Sequence, residues 1–113
     1  MTAQNPLSQA PPYPVEQALK RLGQNLRTAR LRRHFTIGQV AQKIGTGPRA
    51  VMDAEKGKKS TGIAVYIALL WAYNLLQMLD VLADPAKDTE GLTLAAADQR
   101  KRARKPLALD NDF

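Results

Sequence analysis

Apolar residues recur at helical spacing along most of the chain. Over residues 15–33, leucine and alanine positions follow one another at intervals of three or four residues, with polar residues between them. A period of this length predicts a helix with one buried face. Residues 37–44 and 48–56 repeat the pattern in two shorter segments. Since helices account for each of these periodic segments, the chain is predicted to be all-α.

The ends of the two short segments carry capping signals. Thr36 and Gln39 have the spacing of a capping box, in which the threonine oxygen accepts from the Gln39 amide and the glutamine side chain accepts from the Thr36 amide. Gly45 can end the first helix in the left-handed conformation, and Pro48 suits the first position of the next helix. Two short helices joined by a tight glycine turn predict a helix-turn-helix.

Residues 62–73 form the longest apolar run and have no strongly polar residue on any helical face. A helix that is apolar all round is expected to be buried all round. One side can cover the domain core, so the other side is expected to face a second subunit. The residues expected in the core or the dimer interface are Ile63, Tyr66, Leu70, Trp71 and Tyr73. A last short helix is expected over residues 75–83, ending before Pro85.

The same pattern divides the chain into three parts. Residues 1–14 are rich in proline and small polar groups without periodicity, which predicts a disordered arm. Residues 15–85 are predicted to form a helix-turn-helix domain for DNA binding and dimerisation. Residues 86–113 are predicted to be a partly helical to disordered basic tail. Its basic run at 100–105 has three interpretations: contact with DNA phosphate, docking to an acidic partner surface, or a solvated end.

The net charge of the chain indicates which class of binding partner to expect. The chain has 17 lysines and arginines against 10 acidic residues, a formal net charge of +7. This excess favours a polyanion, either nucleic acid or an anionic membrane surface. The longest apolar run is too short to span a bilayer, so no membrane span is expected. The first residues lack the basic-then-apolar order of a signal peptide. Together with the absence of cysteine, this predicts a cytoplasmic protein.

The sequence contains no pattern typical of a catalytic or metal site. Without cysteine there is no thiolate ligand or thiol nucleophile, and the only histidine, His34, has no second histidine to pair with. A glycine loop that would cradle phosphate and a nucleophile motif are also missing. The protein is therefore predicted not to be an enzyme, and to need neither a metal nor a cofactor.

A family resemblance extends over residues 22–85. Their order and spacing resemble the Xre/phage-repressor type of helix-turn-helix domain, at Arg30, Thr36, Val40, Ala41, Ile44, Gly45, Val51, Glu55 and Gly57. The resemblance implies a five-helix lambda-repressor-like fold in which Arg30 and Glu55 form a structural bridge. The continuation LLWAYNLLQMLDVLADP, the stretch DTEGLTLA and the run RKRARK are similar to HipB-like antitoxins, which are encoded beside HipA-type kinase toxins. Ile37, Pro48 and Asp53 depart from the family pattern.

The reading helix of such a motif presents its first outward side chains to base edges. Among these side chains, Arg49 is the first candidate for direct contact with a base, because it can make a bidentate contact with guanine. It can instead bind a phosphate or remain solvated. Met52 can meet a thymine methyl, and Asp53 can accept from cytosine or disfavour wrong sites. Thr46 and Pro48 complete the base-reading set. The predicted phosphate contacts are Thr36, Ile37, Lys43, Gly47, Lys56, Lys58 and Lys59.

These features predict a homodimer that places one reading helix in each of two major grooves of a pseudo-palindromic operator in double-stranded DNA. The expected function is sequence-specific repression, with autoregulation of a toxin–antitoxin operon and a HipA-type kinase toxin as partner. Two alternatives remain open. The chain can be an interaction antitoxin that binds the kinase, with DNA binding secondary, or a phage-type repressor without a toxin partner.

Overall fold

The computed structural model describes residues 5–104, and the regular elements among them are all helices. Within this range it contains six α-helices, two 3-10 helices and no strand, so the prediction of an all-α chain is confirmed. The α-helices are α1 (Pro6–Gln9), α2 (Tyr13–Arg32), α3 (Ile37–Ile44), α4 (Pro48–Glu55), α5 (Ile63–Ala72) and α6 (Thr89–Arg104), and the 3-10 helices are Leu76–Val81 and Pro85–Lys87.

The described residues fall into two compact units. One unit ends at Gln77 and the second begins at Met78. None of the helices in residues 5–104 combines the length and the apolar character needed to cross a bilayer.

The core of the first unit lies among α2, α3, α4 and α5. Helix α3 packs on α4 and α5, and α4 packs on α2. Burying a large apolar side chain here contributes about 1.5–3 kcal/mol. The largest fully buried side chains are Leu26, Val40, Val51, Leu69 and Tyr73. Helix α4 also contacts α5, and its buried residues Val51, Ala54 and Glu55 leave the other side of the helix open to solvent.

The turn between α3 and α4 forms as the capping signals predict. Thr36 Oγ1 accepts from the Gln39 amide at 3.1 Å, and Gln39 Oε1 accepts from the Thr36 amide at 2.9 Å. Gly45 ends α3 with φ at +82°, in the left-handed region that favours glycine. Pro48 begins α4, where its missing amide hydrogen leaves no bond unmade. The two helices are therefore separated by three residues only.

Two glycines let α2 and the end of α4 approach closely. A Cβ atom at Gly23 would lie 2.6 Å from the carbonyl oxygens of Ala54 and Glu55. A Cβ atom at Gly57 would lie 2.5 Å from the Leu19 carbonyl oxygen, and its φ of +68° is also unfavourable for other residues. The backbones of α2 and α4 thus touch where no side chain fits between them.

Helix α5 is buried on one side only in the single chain. Tyr66, Leu69 and Ala72 are buried, and Tyr73 directly after the helix is fully buried. The opposite side is exposed, with 71% of Ile63 and 51% of Trp71 open to solvent. One side of α5 therefore covers the core, as predicted, and the second subunit expected to cover the other side stays a prediction.

The prediction of a disordered arm over residues 1–14 is wrong where the structure describes it. Asn5 Oδ1 caps α1 by accepting from the Ser8 amide at 2.9 Å, and Pro6 occupies the first turn. The Gln9 carbonyl accepts from Lys59 Nζ at 2.7 Å, which ties this segment to the loop after α4. Helix α2 then begins at Tyr13, before the predicted start. Residues 1–4 lie outside the described range.

The last elements of the described chain are helical. The segment expected as a helix over residues 75–83 is a 3-10 helix, Leu76–Val81. The segment expected as a partly helical to disordered tail contains the 16-residue helix α6. Acidic residues at its start and basic residues at its end suit the helix dipole. Residues 100–104 of the basic run belong to α6, and Lys105 lies outside the described residues.

Candidate nucleic-acid interface

A buried ion pair joins α2 to α4. Arg30 Nε donates to Glu55 Oε2 at 2.7 Å and Arg30 Nη2 donates to Glu55 Oε1 at 3.1 Å, so the contact is bidentate. Arg30 Nη1 donates to the Phe35 carbonyl oxygen at 2.9 Å, just before the Thr36 cap of α3. The hydrogen bonds to Glu55 raise the pKa of Arg30 above its ordinary value. One guanidinium thus fixes α4 against α2 and against the start of α3.

The open side of α4 carries the side chains predicted to read DNA. Val51, Ala54 and Glu55 are buried, whereas Arg49 and Met52 are exposed. At the start of the helix no side chain makes a capping hydrogen bond. In the turn before it, Thr46 is partly buried, and Gly47 and Pro48 are exposed. The predicted base-reading residues are therefore brought together around the first turns of α4.

Asp53 is engaged by two cations. Arg49 Nε and Lys58 Nζ each lie 3.4 Å from the same oxygen, Asp53 Oδ1. That oxygen is shielded from solvent and has no hydrogen-bond partner among the described residues, so both contacts are charge pairs without hydrogen-bond geometry. The Arg49 side chain is itself 79% exposed. In the free protein the Asp53 carboxylate therefore pairs with Arg49 and Lys58. Because the Arg49 side chain is largely exposed, it can move away from Asp53.

Two lysines predicted to contact phosphate have their amino groups at backbone carbonyls elsewhere in the chain. Lys43 Nζ lies 3.5 Å from the Ala72 carbonyl oxygen at the end of α5, and 5.8 Å from the ring centres of both Phe35 and Trp71. Lys59 Nζ donates to the Gln9 carbonyl, as described above. At the start of α3, Thr36 is exposed and Ile37 is partly buried. Since both lysines have partners within the chain, their contribution to a DNA contact requires those partners to be released.

The remaining predicted phosphate contact, Lys56, lines a groove beside α4. This groove has a volume of about 250 Å³ and is bordered by residues of α2, α3 and α4. The residues around it are Arg27, Arg30, Ile37, Met52, Glu55 and Lys56. Arg27 was not among the residues predicted from the sequence. Its position one helical turn before Arg30 was the signal that could have found it.

Positive charge is concentrated in the first unit. Residues 5–77 contain eleven lysines and arginines against three acidic residues, whereas residues 78–104 contain five of each kind. The excess positive charge of the described chain is thus carried by the unit that contains α4. A field of this sign attracts polyanions to that unit.

No group of three or more His, Cys, Asp or Glu side chains in residues 5–104 is arranged to hold a metal ion. Burial raises the pKa of Tyr73 to about 12. Its ring is fully buried, and its hydroxyl has no hydrogen-bond partner among the described residues.

Comparison with known proteins found no matching family model, no matching curated protein and no matching solved structure.

Proposed function

We propose that this chain is a sequence-specific DNA-binding transcriptional repressor of the helix-turn-helix type. Helices α3 and α4 form the motif, and α4 enters the major groove. The observation that carries this proposal is the buried Arg30–Glu55 pair, which fixes a short helix whose exposed side bears Arg49 and Met52. A reading helix needs such fixing because base contacts depend on its position within the groove. The surplus of eleven cations over three acids in residues 5–77 supports the same proposal.

Within this proposal the side chains have distinct roles. Arg49 leaves Asp53 and makes the bidentate contact with a guanine, and Met52 contacts a thymine methyl. Lys56 contacts phosphate, as do the exposed Gly47 and Thr36 near the helix starts. Asp53 holds Arg49 and Lys58 in the free protein, which favours a role in disfavouring wrong sites over acceptance from cytosine.

The proposed arrangement is the five-helix lambda-repressor-like fold. Helices α2, α3, α4 and α5 take the places of its first four helices, and the 3-10 helix Leu76–Val81 takes the place of the fifth. The capped, three-residue connection between α3 and α4 supports this assignment. The sequence resemblance of residues 22–85 to the Xre type supports it independently.

We propose that the exposed face of α5 binds a second copy of the chain. Ile63, Ile67 and Trp71 are spaced four residues apart, so they lie along one face of the helix. Ile63 and Trp71 are mostly exposed, and Ile67 is partly buried. A homodimer of this kind presents two α4 helices to half-sites about one turn of DNA apart. Sedimentation of wild type and Ile63→Glu is the test, and a wild type that stays monomeric at micromolar concentration contradicts the proposal.

A second candidate function is binding of a kinase-type toxin, with repression of the shared operon. The apolar side chains exposed on the second unit favour a protein partner, among them Met78, Leu82 and Leu94. If the proposal is right, a HipA-type kinase encoded beside this gene co-elutes with the chain. Arg49→Ala is expected to keep that complex and lose repression. Lost neutralisation with intact repression would instead assign the α4 surface to the kinase.

The test of the proposed function is enrichment of bound sequences from a random duplex library. The proposal predicts two inverted half-sites with centres about one helical turn apart. Arg49→Ala should then lose preference at one base pair of each half-site, by about 1–3 kcal/mol. Arg32→Ala removes the same charge from an exposed position at the end of α2 and is the matched control. Failure to enrich any sequence would contradict the proposal.

A further inference from the structure

The cations of the first unit differ in whether they already have a partner. Seven of the eleven in residues 5–77 contact a carboxylate or a backbone carbonyl of the chain. The other four have no ion pair or hydrogen bond with any described residue: Arg21, Arg27, Arg32 and Lys56. A cation without an internal partner is ready to meet an external anion, because no existing contact must be broken first.

Two of these four cations line the same groove. Arg27 on α2 and Lys56 at the end of α4 both border the cavity of about 250 Å³ described above. Both side chains belong to exposed residues, whereas the other polar residues of the groove, Arg30 and Glu55, are buried. Glu55 accepts two hydrogen bonds from Arg30, so its charge is already matched and does not cancel the two free cations.

The remaining walls of the groove place it within the proposed DNA interface. Met52 lies on the open side of α4, and Ile37 is the first residue of α3. The groove therefore extends from the reading helix across to α2. A duplex that accepts α4 in its major groove has its sugar–phosphate backbone beside that helix, where a phosphate can reach both cations.

We propose that Arg27 and Lys56 together bind one backbone phosphate of the duplex and so set the depth and register of α4. This inference rests on the proposed function, and it adds α2 to the DNA-contacting surface. The ligand is a phosphodiester, which carries one negative charge for each nucleotide and offers two oxygens to two donors. Arg27 is a positioning residue in this arrangement, because a phosphate contact carries no sequence information directly.

The experiment measures fluorescence anisotropy of an enriched duplex and of a scrambled duplex across a potassium chloride series. Arg27→Ala is expected to weaken binding to both duplexes by a similar factor, roughly tenfold at 0.1 M salt, and to reduce the salt slope by about 0.9. Arg27→Lys should keep the slope of the wild type, because the charge is retained. The matched control is Arg21→Ala, which removes an unpartnered cation from α2 outside the groove.

The two proposals fail in different ways. If Arg27→Ala and Arg21→Ala have equal effects on affinity and slope, the phosphate site is wrong while the repressor assignment stands. If the wild type binds both duplexes equally, the repressor assignment is wrong, and the contrast between the two arginines is then read on the scrambled duplex alone.

Discussion

Helix α4 carries two carboxylates two residues apart, and they differ in burial and in how they pair with cations. Glu55 is buried, receives two hydrogen bonds from Arg30, and joins α4 to α2. Asp53 is partly exposed and has Arg49 and Lys58 at 3.4 Å without a hydrogen bond. The Arg30–Glu55 pair therefore fixes the position of α4. Asp53 instead holds two cations that become available to DNA, in the proposed function, when they leave Asp53.

Burial explains why the two pairs have different energies. A buried ion pair that loses one partner leaves an uncompensated charge in the interior, at a cost of about 3–5 kcal/mol. The i,i+4 pair of Arg49 and Asp53 contributes only about 0.3–0.5 kcal/mol, because the Arg49 side chain is 79% exposed and water screens its charge. Substitutions at the two sites should therefore separate loss of the fold from change of binding.

The largest expected effect is at the buried pair. Arg30→Ala should lower the free energy of unfolding by about 3–5 kcal/mol, because the Glu55 carboxylate and the Phe35 carbonyl lose their donor. Urea denaturation followed by circular dichroism measures it. Arg32→Ala, an exposed position on the same helix, should stay within about 0.5 kcal/mol of the wild type. Equal stability of the two variants would show that the pair does not fix α4.

The second effect concerns binding rather than stability. Asp53→Asn removes the charge that holds Arg49 and Lys58, so affinity for a scrambled duplex should rise and its salt slope should steepen by about 0.9 for each cation released. Unfolding free energy should change by less than about 1 kcal/mol. The matched control is Glu16→Gln, which frees Lys20 from an i,i+4 pair at 3.2 Å. A gain no larger than that of the control contradicts a special role for Asp53.

The smallest effect on stability at neutral pH is expected at Tyr73, whose hydroxyl pKa is influenced by the Arg30–Glu55 pair. Burial raises its pKa to about 12, with Glu55 adding to the rise and Arg30 opposing it. The unfolded chain releases this proton near pH 10, so the stability due to neutral Tyr73 is present below pH 10 and is lost as pH rises through 12.

Tyr73→Phe tests this pH dependence. The variant should lose stability less steeply than the wild type between pH 10 and 12. At pH 7 it should be equally stable or slightly more stable, since its hydroxyl has no hydrogen-bond partner among the described residues. Urea melts at pH 7, 10 and 12 measure both effects. Parallel pH profiles for the two proteins would contradict the burial of an un-ionised Tyr73.

Local signals in the sequence predicted the parts of the fold that depend on neighbouring residues. The Thr36–Gln39 capping box and the left-handed Gly45 each involve a few adjacent positions, and both form as expected. Helix α1 was missed although its own signals are local. Asn5 before Pro6 is a helix start, although the prolines of the segment show no helical periodicity.

The parts that depend on distant residues could not be predicted in this way. Lys43 meets a carbonyl 29 positions away, and Lys59 meets one 50 positions away. Helical periodicity fixes which side of a helix is buried, and it does not specify which distant backbone group a flexible lysine reaches. The groove of Arg27 and Lys56 is of the same kind, since it exists only once α2 and α4 are packed together.

The most direct test of the account is the ratio of affinities of the wild-type chain for an enriched duplex and a scrambled duplex, measured by fluorescence anisotropy at several salt concentrations. A sequence-specific repressor should prefer the enriched duplex by roughly a thousandfold or more, with both affinities falling as salt rises. Equal and weak binding to the two duplexes would contradict it. The positive charge of the first unit would then attract DNA without reading it, and the exposed apolar surfaces would become the basis for assigning a protein partner.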